Sequence, residues 1–447
     1  MGSEKQYIDL YRACRASLFN GSTSVMNAVR DKAFDNFSRQ GFPSRKVERY
    51  KYTDTPSLFE PDYGLNINRL EIPVNPYEAF RCDVPNMSTQ LYFVINDVFY
   101  NRLLPKASLP EGVVVGSLRE AADKNPAMLS RYYARLADTG ADAVTALNTM
   151  LAQDGLLVYV PKNVHLERTV QIININRSDV DFMLNRRVLI VLEEGADAKL
   201  LFCDHSADDR KFLTTQVIEA FVGENAHLDL FCLEETHLKN VRFSNVYISQ
   251  SANSTVSHNI VTLHNGITRN KVDLTFDGEG AECNMYGCAV ADKEQRVDNN
   301  MLIDHKVGHC RSNVLYKYVL DDQSVGAFAG KVLVRHGAQK TESEEVNRNL
   351  CATKSARMFT QPMLEIYADD VKCSHGSTVG QIDDAALFYM RQRGIPLKEA
   401  KFLLQFAFAD EVISKIQLEP LRDRLHHLLE KRFRGELNHC EGCQLCK

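Results

Sequence analysis

Long apolar runs are missing from this 447-residue chain, and so is a strong charge of either sign. No apolar segment approaches the roughly 18 residues of a membrane-spanning helix, so we expect no membrane-spanning helix. The net charge of -5 gives no basic footprint of the kind that binds nucleic acid. With 44% hydrophobic and 25% charged residues, the composition is that of an ordinary soluble protein with more than one structural region.

The N-terminal residues lack the basic start, the apolar run and the small-residue cleavage site of a secretory signal. We therefore expect a cytoplasmic protein. Cysteine is modest in amount, at 12 residues, and all but three lie scattered between Cys14 and Cys373. In a reducing compartment these scattered cysteines are expected to be free thiols.

The pattern of apolar residues divides the chain into three regions. Residues 1–150 are predicted to form an N-terminal helical and mixed region, whose apolar stripe begins after a cap at 22–24. Residues 151–380 show short alternating apolar runs between polar turns, which indicates an all-β region. Residues 381–447 are predicted to be helical again as far as Gly435, and a cysteine-rich tail follows.

The β region contains an internal repeat. Four segments place a turn rich in Gly, Asn or Asp before an alternating strand, and their aligned small residues are Ala198, Ala226, Ser254 and Ala281. The spacings of 28, 28 and 27 residues are typical of a solenoid. Strands joined by tight turns make that solenoid a β-helix. A sandwich of regular hairpins is the alternative that the spacing leaves open.

The end of the β region concentrates residues that bind metals. Residues 364–380 read LEIYADDVKCSHGSTVG, in which Cys373 and His375 stand two positions apart. In an extended strand their side chains would share a face, and thiolate and imidazole ligands suit transition metals or iron-sulfur clusters. Taken alone, Cys-x-His favours a buried cysteine and a structural histidine over a metal site.

A second group of ligands stands in the tail HCEGCQLCK. It supplies a Cys-x-x-Cys-x-x-Cys array that a histidine would extend to four ligands, namely His439, Cys440, Cys443 and Cys446. Such spacing is common in metal and iron-sulfur sites. Because closed sites usually combine ligands from two separated segments, a mobile or oxidisable thiol tail is the alternative.

One long stretch of sequence resembles a known family. From Asp304 the chain reads DHKVGHCRSNVLYKYVLDDQSVGAFAGKVLVRHGAQKTESEEVNRNL, and it continues through KCSHG to AFADEVI at 407–413. This resembles the SufB/SufD family of the SUF iron-sulfur cluster assembly system. SufB-like chains place a cysteine in the segment equivalent to 361–370, and this chain has none there, so it is similar to the SufD branch. The segment TESEEVNRNLCAT (341–353) departs from the family, which usually has a glutamine and a run of leucines.

The resemblance implies a right-handed parallel β-helix flanked by helical N- and C-terminal regions. It also implies a non-catalytic scaffold that pairs with a SufB-like subunit through the β-helix and binds a SufC-like ABC-type ATPase through its C-terminal helices. No cofactor would be permanently bound. In the family the histidine of KCSHG, here His375, is implicated as a ligand of iron or a transient cluster at the SufB interface, and Cys373 is a second candidate. An exposed β-helix edge would also permit a homodimer when the partner is absent.

Two other classes of protein stay open as alternatives. β-Helices also occur in carbohydrate-active enzymes, and the cysteines of the tail would suit a self-standing metal or iron-sulfur protein. The segment GAFAGKV (326–332) mimics a phosphate-binding loop but has three residues between its glycines instead of four. We therefore expect ATP hydrolysis only in a partner.

Overall fold

A computed structural model describes residues 2–70, 76, 89–102, 104, 105 and 108–435. Its helices are α1 Glu4–Asn20, α2 Ser24–Gln40, α3 Thr55–Leu58, α4 Leu118–Lys124, α5 Pro126–Tyr132, α6 Ala143–Leu151, α7 Asp384–Gln392, α8 Leu397–Ile413 and α9 Glu419–Arg434. Its strands are β1 Gln90–Ile95, β2 Val98–Phe99, β3 Val114–Ser117, β4 Leu156–Val160, β5 Val170–Asn176, β6 Phe182–Leu192, β7 Asp197–Ser206, β8 Phe212–Val222, β9 His227–Glu235, β10 Val241–Gln250, β11 Thr255–His264, β12 Ile267–Phe276, β13 Glu282–Ala291, β14 Arg296–His305, β15 Arg311–Leu320, β16 Val325–Val334, β17 Glu342–Cys351, β18 Arg357–Ile366 and β19 Lys372–Gly380.

The strands form two sheets that the chain visits in turn. From β4 onward each strand pairs in parallel with the strand two places further along, so every turn of the chain adds one strand to each sheet. The result is a β-solenoid of about eight turns with helices at both ends. The prediction of a mainly β protein built on a parallel β-helix is confirmed. A sandwich of hairpins is excluded because hairpins would pair these strands in antiparallel fashion.

The N-terminal region also contributes strands to both sheets. β1 pairs in parallel with β5, while β3 pairs in antiparallel fashion with β4. The parallel partner of β1 is therefore about 80 residues further along the chain, as the register pair Tyr92–Ile172 illustrates. The first turn of the β-helix is assembled from segments that are distant in sequence.

The repeat of small residues contains one position that was predicted incorrectly. The amide of Thr255 donates to the carbonyl of Ala226 at 2.9 Å, and the amide of His227 donates to the carbonyl of Ala196 at 2.8 Å. Ala196 is thus the equivalent of Ala226, and the predicted residue, Ala198, lies inside β7 in register with Leu228. Both positions hold an alanine, so the sequence pattern could not distinguish them, and the prediction took the alanine that lies inside the strand.

Alternating side chains of both sheets fill the interior of the β-helix. This apolar core continues from the first turns to the last and includes Ile172, Ile190, Leu200, Ile218, Leu230, Ile248, Leu274, Met285, Ile303, Tyr316 and Phe328. Since side chains alternate along a strand, the residues between these face outward and contact helices or solvent.

The outer faces of the sheets carry the helices. α8 and α9 pack their apolar residues, Val412 and Leu425 among them, against the outer face of the ten-stranded sheet. The predicted end of the last helix is confirmed, because Gly435 follows α9 with a left-handed backbone (φ 77°). At the other end of the chain, Thr23 caps α2 by accepting a hydrogen bond from the amide of Met26. No helix in the described residues is long and apolar enough to cross a membrane.

Candidate functional site

The β-helix has an open end at its last turn. β18 and β19 are the terminal strands of the nine- and ten-stranded sheets, and among the described strands each pairs with one neighbour only. Strands β13 to β16 are mostly buried, whereas every residue of β19 except Cys373 is exposed. Large apolar side chains, Phe359, Ile366, Tyr367 and Val379, are exposed at this end. A row of backbone groups and an apolar surface are therefore presented together.

Cys373 and His375 lie in β19 and face the interior side of this open end. In the parallel ladder Cys373 is in register with Ser343, and His375 is in register with Glu345. Ser343 and Glu345 are both buried, so their face of β17 is the interior face. In-register neighbours of a parallel sheet point the same way. The structure thus places Cys373 and His375 on one face, with His375 exposed to solvent.

Cys373 packs against a small apolar cluster that includes Val332, Val334, Ala338 and Val371. Partial burial raises the pKa of its thiol above the ordinary value, while a backbone hydrogen bond from Ser343 opposes that shift. A thiol must lose its proton before it binds a metal. Cys373 is accordingly less prepared for ligation than the exposed imidazole two residues away. The eight cysteines in the described part of the chain are all free thiols.

Glu345 is a site residue that the sequence pattern did not identify. Its side chain is in the interior, only 1% of the residue is exposed, and neither carboxylate oxygen has a hydrogen-bond partner among the described residues. Burial raises the pKa of this carboxyl to about 8. Alternation along β17 puts Ser343, Glu345 and Asn347 on one face, but only the register with β15 shows that this face is the interior one.

A network of amide side chains fixes the last two turns to each other. Asn347 donates through Nδ2 to the carbonyl of Tyr316 at 3.1 Å, and its Oδ1 accepts from Thr360 at 2.8 Å. Asn349 donates to Asn347 Oδ1 at 2.6 Å and to the carbonyl of Thr378 at 2.9 Å. Because these bonds join β15, β17, β18 and β19, they hold the open end in a defined shape.

The N-terminal region also reaches the open end along the outer face of the nine-stranded sheet. Arg49 contacts Asp273 at 2.6 Å, and Thr53 donates to Asp298 Oδ2 at 2.6 Å. Beside these contacts, the ring of Tyr52 stacks on Phe359 of β18 with centroids 4.8 Å apart. This segment therefore connects the N-terminal helices to the terminal strand.

The other predicted ligand group lies outside the described residues. His439, Cys440, Cys443 and Cys446 all follow Gly435, where the description of the chain ends. Among the residues that are described, no three His, Cys, Asp or Glu side chains are grouped so as to hold a metal ion.

Comparison with known proteins assigns most of the chain to one family. Residues 1–172 match the family model described as "SufBD protein N-terminal region". Residues 173–408 match the model described as "SUF system FeS cluster assembly, SufBD core domain". Together the two models cover most of the chain, so the fold and sequence define a protein of the iron-sulfur cluster assembly class.

Named relatives are similar to this chain over most of its length. The chain is 27% identical to the iron-sulfur cluster assembly protein SufD of Escherichia coli, over 94% of this chain and 96% of the relative. It is 27% identical to an iron-sulfur cluster assembly SufBD family protein of Synechocystis, over 92% of this chain and 91% of the relative. SufD of Bacillus subtilis is 25% identical over 79% of this chain and 81% of the relative. The chain belongs to the SufBD family and is SufD-like.

Proposed function

We propose that this chain is a non-catalytic scaffold subunit of a SUF complex, in which its open β-helix end joins a SufB-like subunit and His375 contributes to a shared site for iron or a nascent cluster. The single observation that carries the proposal is the position of His375, exposed on the interior-facing side of a terminal strand whose second edge pairs with no described strand. A site at such an edge is completed by whatever chain pairs with it. Membership of the SufBD family favours this class over a carbohydrate-active enzyme.

The open end is suited to pairing with another β-helix. A terminal strand exposes unpaired N–H and C=O groups that a second strand can satisfy. Here β18 and β19 end the two sheets in the same last turn, so a partner with the same architecture would extend both sheets at once. The exposed apolar residues Phe359 and Val379 would be buried in such an interface, which stabilises association by roughly 25 cal/mol per Å² of apolar surface removed from water.

The chemistry of His375 suits temporary binding of the cargo. A neutral imidazole binds iron near neutral pH, because its reference pKa is about 6.5, whereas a free thiol near 8.5 must first be deprotonated. Imidazole also holds iron less strongly than thiolate. Mixed ligation across a subunit interface would therefore favour transfer of a cluster to a recipient over permanent storage.

The C-terminal helices offer a second surface for a partner, which we propose is the SufC-like ATPase. α8 and α9 are anchored on the ten-stranded sheet, but no residue of α7 is buried. Phe388 is 64% exposed and Tyr389 is 59% exposed on that helix. Two adjacent exposed aromatic residues are typical of a protein interface.

Co-expression with SufB-like and SufC-like chains tests the proposal. Val379→Asp places a charge at the open end and should abolish co-purification of the SufB-like chain, while Phe388→Asp should abolish that of the ATPase. Val180→Asp is the matched control, since Val180 is an exposed valine in a loop (58% exposed) away from both surfaces. All three substitutions are at exposed positions, so we expect stability to change by less than about 0.5 kcal/mol. Undiminished co-purification of the SufB-like chain with Val379→Asp would contradict the proposed pairing.

A further inference from the structure

We infer that Glu345 supplies a carboxylate oxygen to the same metal ion that His375 binds, so that this chain contributes one nitrogen and one oxygen ligand to a divalent metal at the open end. The inference rests on the proposed function of His375 and extends it by naming the second ligand and the class of cargo. Three features of the structure support it.

The first feature is the placement of the two side chains. Glu345 and His375 are in-register partners in the parallel ladder between β17 and β19. Neighbouring strands lie about 4.8 Å apart, and in-register side chains project from the same face. A glutamate and a histidine at this separation can reach one metal ion, with Glu345 on the interior side of the site and His375 at its entrance.

The second feature is that the buried carboxyl of Glu345 has no hydrogen-bond partner among the described residues. Two other buried acidic groups of the β-helix have cationic partners: Glu219 pairs with Arg187, and Asp204 pairs with Arg186. Glu345 is buried to the same degree, yet both of its oxygens lack a hydrogen-bond partner in the part of the chain that the structure describes. Burying an ionised carboxylate without a partner is costly, so such a group stays protonated, is paired or coordinates a metal. A metal ion at the open end would supply the partner that the described residues do not.

The third feature is the direction from which a cation can arrive. On one side Glu345 is in register with the buried apolar Val314. Across the interior its Oε1 lies against Gly330, where a Cβ atom would be only 1.9 Å away, so the absence of a side chain there makes room for the carboxylate. The remaining side is that of the exposed His375. A cation entering from solvent at the open end therefore meets the imidazole first and the carboxylate next.

These ligands indicate the kind of metal. Carboxylate and imidazole together suit divalent iron and manganese, whereas thiolates select copper(I), zinc and preformed iron-sulfur clusters. Two protein ligands also leave coordination positions for water or for groups of a partner chain. We therefore infer that the cargo met by this subunit is the divalent iron ion rather than a finished cluster.

Manganese titration of the isolated full-length chain tests the inference. Mn²⁺ is used because it prefers carboxylate oxygens and avoids the thiolates of the tail, and free Mn²⁺ is measured by its electron paramagnetic resonance signal. Glu345→Gln keeps the shape of the side chain, and Glu344→Gln is the matched control, because Glu344 is the exposed neighbour on the opposite face of the same strand. We expect Glu345→Gln and His375→Ala each to raise the Kd at least about tenfold, with Glu344→Gln unchanged.

The outcomes separate this inference from the proposed function. Weakened binding in His375→Ala but not in Glu345→Gln would overturn the role of Glu345 and leave His375 as a ligand. Weakened binding in Glu345→Gln but not in His375→Ala would remove His375 from the site and contradict both. Absence of saturable Mn²⁺ binding by the unmodified chain would also overturn the inference, while co-purification with the SufB-like chain would still test the proposed pairing. Unchanged thermal unfolding of the variants shows that any loss is local.

Discussion

The buried carboxylate of Glu219 is one of the contacts that join the N-terminal region to the β-helix. Neither it nor its partner Arg187 has any exposed side-chain surface. Its Oε2 accepts hydrogen bonds from Arg187 Nη2 and from the amide of Ala134, and its Oε1 accepts from the amides of Leu136 and Ala137. Four donors from two separate segments thus converge on one side chain of β8.

Glu219→Gln should destabilise the protein severely. The substitution removes the negative charge, so Arg187 is left as an uncompensated buried cation, which costs about 3–5 kcal/mol. The new amide NH₂ would also face backbone donors instead of accepting from them, and each unsatisfied buried donor costs about 1–3 kcal/mol. We therefore expect the free energy of unfolding to fall by at least about 3 kcal/mol.

Urea unfolding followed by circular dichroism measures this change. The control is Glu194→Gln, because Glu194 pairs with Lys162 at 2.7 Å but both side chains are about half exposed. Such exposed pairs contribute only about 0–1 kcal/mol. A Glu219→Gln variant whose stability stays within about 1 kcal/mol of the unmodified chain would refute the reasoning. Replacing both partners, with Arg187→Met and Glu219→Leu, should recover part of the loss, since no unpaired charge then remains.

Two further predictions concern the interior of the β-helix. Burial lowers the pKa of His258, 3.8 Å from Cys232 Sγ, from 6.5 to about 4. Between pH 6.5 and about 4 the folded state binds fewer protons than the unfolded state. The free energy of unfolding is therefore highest above pH 6.5 and falls as the pH is lowered to about 4. Measured by urea unfolding, the free energy of unfolding of His258→Gln should fall by about 3 kcal/mol less over this pH range than that of the unmodified chain. Equal falls would contradict the assignment. Gly330→Ala should cost about 1–3 kcal/mol because its Cβ would meet the carboxylate of Glu345, and a double-mutant cycle with Glu345→Ala should show a smaller cost if that contact is the cause.

Local sequence patterns were sufficient for the β-helix because its elements repeat. Alternating strands and turn residues recur in every turn, so the class of fold follows from spacing. The same local reasoning misplaced Ala198, since Ala196 two positions earlier is equally small and only the backbone ladder distinguishes the two. It also could not show that β1 pairs with β5, because pairing across about 80 residues depends on the assembled structure rather than on either segment.

The candidate site was only partly accessible to sequence reasoning. His375 was identified because its motif is specific to the family. Glu345 was not, because a polar strand such as Glu342–Cys351 gives no indication of which face is buried. That face is set by the register with β15, which places Glu345 beside the apolar Val314. Its burial and lack of a partner are properties of the packed last turn.

The most direct test of the central claim is to measure cluster build-up in the assembled complex. The chain is co-expressed with SufB-like and SufC-like partners, the complex is purified anaerobically, and the iron and sulfide it accumulates are quantified beside its visible absorption. His375→Ala should leave the complex intact but reduce the accumulated cluster strongly, whereas the control His165→Ala, an exposed histidine before β5, should not. An intact His375→Ala complex that accumulates cluster normally would contradict the claim that His375 is part of the shared site.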